Sequence, residues 1–432
     1  MRYAIWTSGC QMNRADSARL AAAMQLAGHE SASPDEAQLI ILNTCSVRES
    51  AERRAAAKLR SLAGLRRRRP DLRIALMGCM VGTEPGAELP RRFPMVDAFF
   101  PPSAVEEVLE AFPGPFVVET AGLPHLEVGR HPVSAFLPII YGCNNCCTYC
   151  IVPLRRGGEQ SRPVEEILGE ARCMVAQGVR EVCLLGQNVD TYGHDLADRP
   201  TLAGLLRAVH EIEGIWRIRF LTSHPKDMTG ELIETVADWP KICPEISLPA
   251  QAGHDRLLRR MGRPYTVAQY RRLVEQIRAA IPEAGLSTDV IVGFPGETEE
   301  EYAGTRRLLE EITFDVVHIA AYSSRPGTAA ARFPDDVPAE VKEQRREELE
   351  TLQEKIASQR NSHFLQQEVE VLVEDLHRGK WRGRTPQGTW CFFGDQSNWT
   401  GQMARVQVSH TSPWSLQGEL RGPSHSIHGE GY

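Results

Sequence analysis

The chain has 432 residues, a length that suggests roughly two to four domains. It is 42% hydrophobic and 24% charged, an ordinary globular composition, and no apolar run approaches the roughly 18–20 residues of a membrane span. A net charge of −7 excludes a chain that is basic throughout. A local basic face can still recognise nucleic acid, because the distribution of charge decides and not its sum.

The opening MRYAIWTSGCQMN carries one early Arg and no long apolar stretch, so it does not read as a secretory signal and a cytoplasmic location is expected. Disulfides are rare in that compartment, so eleven cysteines point to metal or redox chemistry. RYAIWTSGC is a short apolar run ending at Cys10. Helical apolar spacing follows through Leu20, Met24 and Leu26 and closes at Gly28. LIILNTC reads as a buried strand ending at Cys45, an Arg- and Ala-rich helix runs to about Arg69, and RIALMGC ends at Cys79. This alternation predicts an open, parallel α/β domain over residues 1–125. Ligands of such sheets gather outside the carboxyl ends of the strands, where the three cysteines would converge. By spacing alone, these thiols are either metal ligands or small core residues.

Residues 129–360 repeat the rhythm. FLPIIYG, EVCLLG, WRIRFLT, EISLP, LSTDVIV and DVVHIA read as strands, with helices such as VEEILGEARCMVAQG between them. Six such units predict a partial (β/α)6 barrel whose site lies on the loops at the carboxyl ends of its strands. A charged helix over about 339–367 leads out. From 363 to 425 the character changes: EVEVLVEDL, WRGRT, TWCFFG, QMARVQVSH and SLQGELR predict a small all-β barrel, similar to an OB-fold. PSHSIHGEGY reads as a frayed tail. The fold class is therefore α/β with a small all-β barrel at its end.

YGCNNCCTYC contains Cys143-x3-Cys147-x2-Cys150 at the end of the first barrel strand. Three thiolates this close can hold three corners of a four-iron cluster, leaving the fourth iron open to a cofactor or substrate. A zinc knuckle would need a fourth ligand, and none is evident.

This motif resembles the signature of the radical S-adenosylmethionine (SAM) enzymes. The resemblance extends along nearly the whole chain to the methylthiotransferase family, through GCQMN, LNTCSVRE and the GC at Cys79, then GCNNCCTYCIVPLRRGGEQSRP, REVCLLGQNV, TSHP, LPAQAGHDRLLRRMGR, DVIVGFPGET and SSRPGTAAA. The all-β tail resembles that family's TRAM domain, an RNA-binding module. GCQMN and TSHP favour the MiaB type.

The resemblance implies a transferase that converts N6-isopentenyladenosine at tRNA position 37 into its 2-methylthio form. It implies two 4Fe-4S clusters as metal centres, one on Cys143, Cys147 and Cys150 and an auxiliary one on Cys10, Cys45 and Cys79. It further implies SAM, tRNA, a sulfur source and an electron donor such as flavodoxin or ferredoxin, with no membrane; a monomer is compatible. One SAM would methylate a sulfur on the auxiliary cluster and another would yield the radical that activates carbon 2 of the adenine. Two alternatives remain at this stage. One keeps the chemistry on a threonylcarbamoyl-adenosine tRNA or a ribosomal-protein aspartate. The other is a non-catalytic iron–sulfur RNA-binding protein.

Gly186, Gln187, Gln251, Gly293, Pro295 and Gly296 are the candidate cofactor-binding residues, at the ends of the second, fourth and fifth barrel strands; the glycines let backbone approach a ligand. No side chain is assigned a catalytic role. Cys173, Cys183, Cys243 and Cys391 are expected in the core. Cys146 departs from the family, which has a bulky residue there, and packing is expected of it. Arg155, Arg156 and Arg162 would either meet tRNA phosphates or be surface charges. Arg66 to Arg69 would be a phosphate contact or a solvated helix end. Trp381, Arg382, Arg384, Trp390, Phe392 and Phe393 mix cations and aromatics as single-strand-binding surfaces do, with about half turned inward by strand alternation.

Overall fold

The computed structural model describes residues 1–47, 49–83, 86, 88–120, 123–125 and 132–424. The expected boundary around 126–128 and the tail from 425 lie outside these residues. No helix among the described residues is long and apolar enough to cross a membrane.

The first unit is a parallel sheet of β1 (Arg2–Thr7), β2 (Glu30–Ser31), β3 (Leu39–Thr44), β4 (Arg73–Gly78) and β5 (Ala98–Phe100), in the order β2-β1-β3-β4-β5. Strand alternation explains why LIILNT is apolar almost throughout. Leu39 and Ile41 enter one core, while Ile40 and Leu42 enter the core on the opposite face. The cysteine-terminated strands β1, β3 and β4 are neighbours, so their carboxyl ends lie side by side. β2 and β5, with 2 and 3 residues, are too short to leave a sequence pattern and were not among the expected strands.

The second unit opens with β6 (Ser134–Pro138) and a small antiparallel clip of β7 (Ile140–Tyr141) and β8 (Gln160–Ser161), which closes the two ends of the cysteine loop. β9 (Glu181–Leu185) and β10 (Arg217–Phe220) join β6 in one parallel sheet. β11 (Glu245–Ser247), β12 (Gly285–Val292) and β13 (Val316–Ala321) form a second. A bridge between Ile218 and Ile242 connects them, giving six parallel strands in chain order around one core. The charged helix spans Ala339–Ser362 and packs on β13.

The third unit is a closed barrel of β14 (Glu368–His377), β15 (Lys380–Arg384), β16 (Trp390–Phe393), β17 (Met403–Ser412) and β18 (Ser415–Pro423). Its core holds Val371, Trp381, Cys391, Phe393 and Val406. It docks on the amino ends of the large barrel's strands, opposite the cysteine loop. Arg219, 1% exposed, pairs with Glu181 at 2.9 Å and with Glu245, and donates to the carbonyls of Thr385 (2.7 Å) and Pro386 (2.9 Å). Arg384 reaches back to Glu181 at 2.9 Å, and Arg217 meets Glu370 at 3.3 Å. Arg384 is thus a docking residue and not part of an open RNA-facing surface. Trp381 and Phe393 point inward, while Arg382, Trp390 and Phe392 remain partly exposed on the outer side.

Candidate functional site

A cavity of about 1050 Å³ lies at the carboxyl ends of the barrel strands and reaches the N-terminal sheet. Cys143, Cys147 and Cys150 line one part of it and Cys10 lines another. Cys45 and Cys79 are buried behind Cys10. The strand-end placement expected from the sequence therefore brings Cys10 to the same space as Cys143, Cys147 and Cys150.

Local backbone chemistry makes the convergence possible. Gly9, at φ +117°, precedes Cys10; a Cβ there would stand 2.2 Å from Cys45 Cβ. Gly142, at φ +69°, precedes Cys143, and a Cβ would stand 1.9 Å from the Gly158 carbonyl oxygen. Only glycine leaves the room and tolerates the conformation. The loop beyond is pinned: Cys143 N–H donates to the Gly157 carbonyl at 3.1 Å, and Thr148 N–H and Oγ1 bond the carbonyls of Met261 (2.9 Å) and Arg260 (2.8 Å).

Each thiol group has one buried guanidinium. Arg156 donates from Nε to Cys79 Sγ at 3.3 Å, and Arg263 donates from Nη1 to Cys147 Sγ at 3.4 Å. The Cys10 thiol is pushed down to about 6, first by its hydrogen bond with Cys45 and, against the cost of burial, by Arg156. The shared hydrogen bond and burial push Cys45 up. Burial raises Cys143 and takes Cys150 up to about 12. Buried thiols of this kind ionise when a bound cation compensates the charge.

Among the described residues, no three His, Cys, Asp or Glu side chains gather closely enough to hold one metal ion. A four-iron cluster asks for something different. Its thiolates sit on separate irons, so three must ring a space rather than meet at a point. Two sets of three thiols beside one cavity, with glycine-made room and an arginine donor each, fit that requirement.

The other sequence candidates divide. Gly186, Gln187 and Gln251 line the cavity. Gln187 Oε1 is buried and without a partner among the described residues. Gln251 holds φ +69°, a conformation uncommon outside glycine and found where a site fixes a residue. Gly293, Pro295 and Gly296 are not in the lining. Gly293 packs on Lys342, where a Cβ would come within 2.2 Å of Cγ, and Gly296 faces the Arg260 guanidinium.

Several expectations are corrected. Arg156 and Arg162 are neither phosphate contacts nor surface charges: Arg156 is buried against Asp16 at 3.0 Å, and Arg162 pairs with Glu166 at 2.6 Å and Glu170 at 2.7 Å. Cys173 is exposed on its helix, unlike Cys183, Cys243 and Cys391, which are buried. Cys146 is exposed, with its thiol 3.9 Å from the Asn144 carbonyl, so it is neither packed nor facing the cavity. Arg66 is no free helix end, since it forks onto Asp97 with two bonds of 2.7 Å. Sequence reasoning missed Arg263 and the true role of Arg156. Nothing in PLRRGG separates Arg156 from Arg155; only the fold turns it inward.

Comparison with known proteins agrees with this geometry. The Radical SAM superfamily model matches residues 137–309, the TRAM domain model matches 364–420, and the Uncharacterized protein family UPF0004 model matches 2–101. A tRNA-2-methylthio-N(6)-dimethylallyladenosine synthase of Roseiflexus sp. (strain RS-1) is 55% identical over 425 residues, covering 97% of this chain and 89% of its own. The protein of the same name from Herpetosiphon aurantiacus is 49% identical and covers 99% of both chains. The solved radical S-adenosylmethionine methyltransferase TsrM of Kitasatospora setae shares the fold, with a TM-score of 0.54 at 15% identity over 74% of this chain and 72% of that one. The chain belongs to the tRNA-2-methylthio-N(6)-dimethylallyladenosine synthase family of radical SAM proteins.

Proposed function

We propose that this chain converts N6-isopentenyladenosine at tRNA position 37 into its 2-methylthio derivative. The observation that carries the reading is the single cavity of about 1050 Å³ lined by Cys10 and by Cys143, Cys147 and Cys150. A sulfur delivered at one thiol group has to meet a carbon activated at the other before water quenches it, and one shared space allows that. In this reading Cys143, Cys147 and Cys150 hold one 4Fe-4S cluster together with SAM, and Cys10, Cys45 and Cys79 hold the second. Bound there, these groups supply the radical and the sulfur; the protein supplies position and exclusion of water. Gly186 lets the chain turn past Ile140, where a Cβ would stand 2.4 Å from Cγ2, and so keeps Gln187 at the cavity wall. Gln187 and Gln251 offer neutral polar contacts to SAM or the base. The domain division is read as 1–125, 129–360 and 363–425. Reconstituted protein incubated with SAM, reductant and an isopentenylated anticodon stem-loop should yield the 2-methylthio nucleoside by mass spectrometry. Product on a threonylcarbamoylated stem-loop alone would replace this substrate with the other.

The small barrel is read as a tRNA contact through its outer side, where the Arg382 guanidinium lies 4.6 Å from the Trp390 ring and Phe392 is partly exposed beside His377. Phe392→Ala should weaken tRNA binding by about 1–3 kcal/mol, the range of one lost base stack. Arg382 is also forked onto Asp375 at 2.9 and 2.6 Å, so Arg382→Gln should flatten the salt dependence by at most about one phosphate contact, and only as far as a phosphate draws the guanidinium from that carboxylate. Point variants suit this test better than removal of the barrel, because removal strips the partners of Arg217 and Arg219. Unchanged affinity and unchanged salt slope in both variants would remove the RNA-binding role from this face.

A further inference from the structure

Arg156 follows the cysteine loop by six residues and sits in the short helix Val152–Arg156, yet its side chain belongs to the neighbouring unit. It is 4% exposed and leaves the large barrel for the N-terminal sheet. Nε donates to Cys79 Sγ at 3.3 Å. Nη2 donates to Asn13 Oδ1 at 2.7 Å and to Asp16 Oδ2 at 3.0 Å. Asn13 in turn donates to the Ser8 carbonyl at 2.9 Å, and its Oδ1 lies 3.8 Å from Cys10 Sγ. Asp16 is fixed from the other side by Ser103 Oγ at 2.7 Å.

We infer that Arg156 is a positioning residue for the Cys10, Cys45 and Cys79 group, supplied across the domain boundary by the segment that carries the other three thiols. Asp16 balances the charge of the guanidinium and holds its direction. The carboxylate takes Nη2 and locks the fork, so Nε stays aimed at Cys79. A hydrogen bond to a ligating sulfur withdraws electron density from it and stabilises the more negative, reduced state of a bound cluster. The same fork ties Cys79 to the helix that begins beside Cys10, and so fixes how far the N-terminal thiols stand from Cys143, Cys147 and Cys150. Arg263 serves Cys147 from within its own barrel, where it is also held by the Pro249 carbonyl at 2.9 Å. Arg156 differs in joining two units, and this makes the N-terminal group sensitive to the docking of the barrel.

The inference rests on the reading of Cys10, Cys45 and Cys79 as cluster ligands, and the experiment separates the two. The full chain with Cys143, Cys147 and Cys150 replaced by Ala serves as background, so that only the N-terminal group can hold iron. Reconstituted background protein without iron would refute the ligand reading and the inference with it. In background protein that holds iron, Arg156→Lys keeps the pairing with Asp16 and loses the Nε donor, while Arg156→Met with Asp16→Asn removes the fork without stranding a carboxylate. Iron content and the midpoint potential, from a mediator titration followed by electron paramagnetic resonance, are the readouts. The expected result is a shift to lower potential in the lysine variant and a larger shift, or loss of iron, in the double variant. Asp16→Asn alone should retain iron. If the double variant does not fold, the lysine variant decides. Unchanged iron and unchanged potential in the variants that fold would overturn the inference and leave the ligand reading intact.

Discussion

Replacing Cys10, Cys45 and Cys79 together by Ala should leave reductive cleavage of SAM to 5′-deoxyadenosine in place and abolish the methylthio nucleoside. The opposite triple replacement, at Cys143, Cys147 and Cys150, should abolish both products. Reconstituted wild-type protein should hold about eight irons and each triple variant about half, as two four-iron clusters require. The asymmetry follows from the fold. The two thiol groups sit on separate sheets, at the ends of β1, β3 and β4 and after β6, and no cysteine is common to both. Each group therefore keeps its own ligands when the other is removed. They share the cavity, and Arg156 reaches the N-terminal group from the segment that follows Cys150, so some loss of iron occupancy beyond half is tolerable, but a methylthio product without the N-terminal thiols is not. Paired quantification of both products, with iron analysis on the same samples, makes the comparison. Methylthio nucleoside from the variant lacking Cys10, Cys45 and Cys79 would end the two-cluster reading.

Glu181→Ala should destabilise the protein by about 3–5 kcal/mol, the usual cost of removing one partner from a buried ion pair. Glu181 opens β9 and is 2% exposed. It meets Arg219 and Arg384, each at 2.9 Å, and Ser134 Oγ at 2.9 Å. Without it, two guanidinium groups remain at the junction with one carboxylate fewer and little water to replace it. The small barrel should undock at lower denaturant than the wild type. The pH dependence has a definite sign. Arg219 and Arg384 outweigh burial and hold the Glu181 carboxyl at about 2, below its ordinary 4.5. Its stabilisation is therefore present above about pH 4.5 and is lost as pH falls toward 2. Glu181→Gln should lose most of that acid dependence. Denaturant titration at neutral and acid pH measures both effects. A change under about 1 kcal/mol at neutral pH would mean that the junction rearranges to pair Arg219 elsewhere.

Much of the site was legible before the fold. Thiols at strand ends, three residues then two apart in the loop after β6, carry their chemistry in their spacing, and the position of a cysteine at the end of a parallel strand fixes which face it reaches. The six barrel strands and the closed five-stranded barrel also followed from alternating and continuous apolar runs. What failed was the reading of arginines. Arg155, Arg156 and Arg162 looked alike, and Arg384 looked like part of a phosphate-tracking surface. Long cationic side chains have no periodic signature, because the direction they take depends on where a carboxylate or thiol from another element stands. Asp16 and Glu181 are distant in sequence from the arginines they hold, at 140 residues for the Arg156 contact and 203 for the Arg384 contact.

The sequence by itself determined the ligand-type residues, the order of the elements and the family, since covalent spacing and strand periodicity are local properties of the chain. Tertiary structure alone decided that Cys10 opens on the same cavity as Cys143, Cys147 and Cys150, that Gly293 packs on Lys342 and Gly296 on Arg260, and that arginines such as Arg156, Arg217, Arg219 and Arg384 tie the three units together. Those outcomes depend on which surfaces meet when the apolar faces are buried. A buried charge then has to find its partner wherever that packing places one.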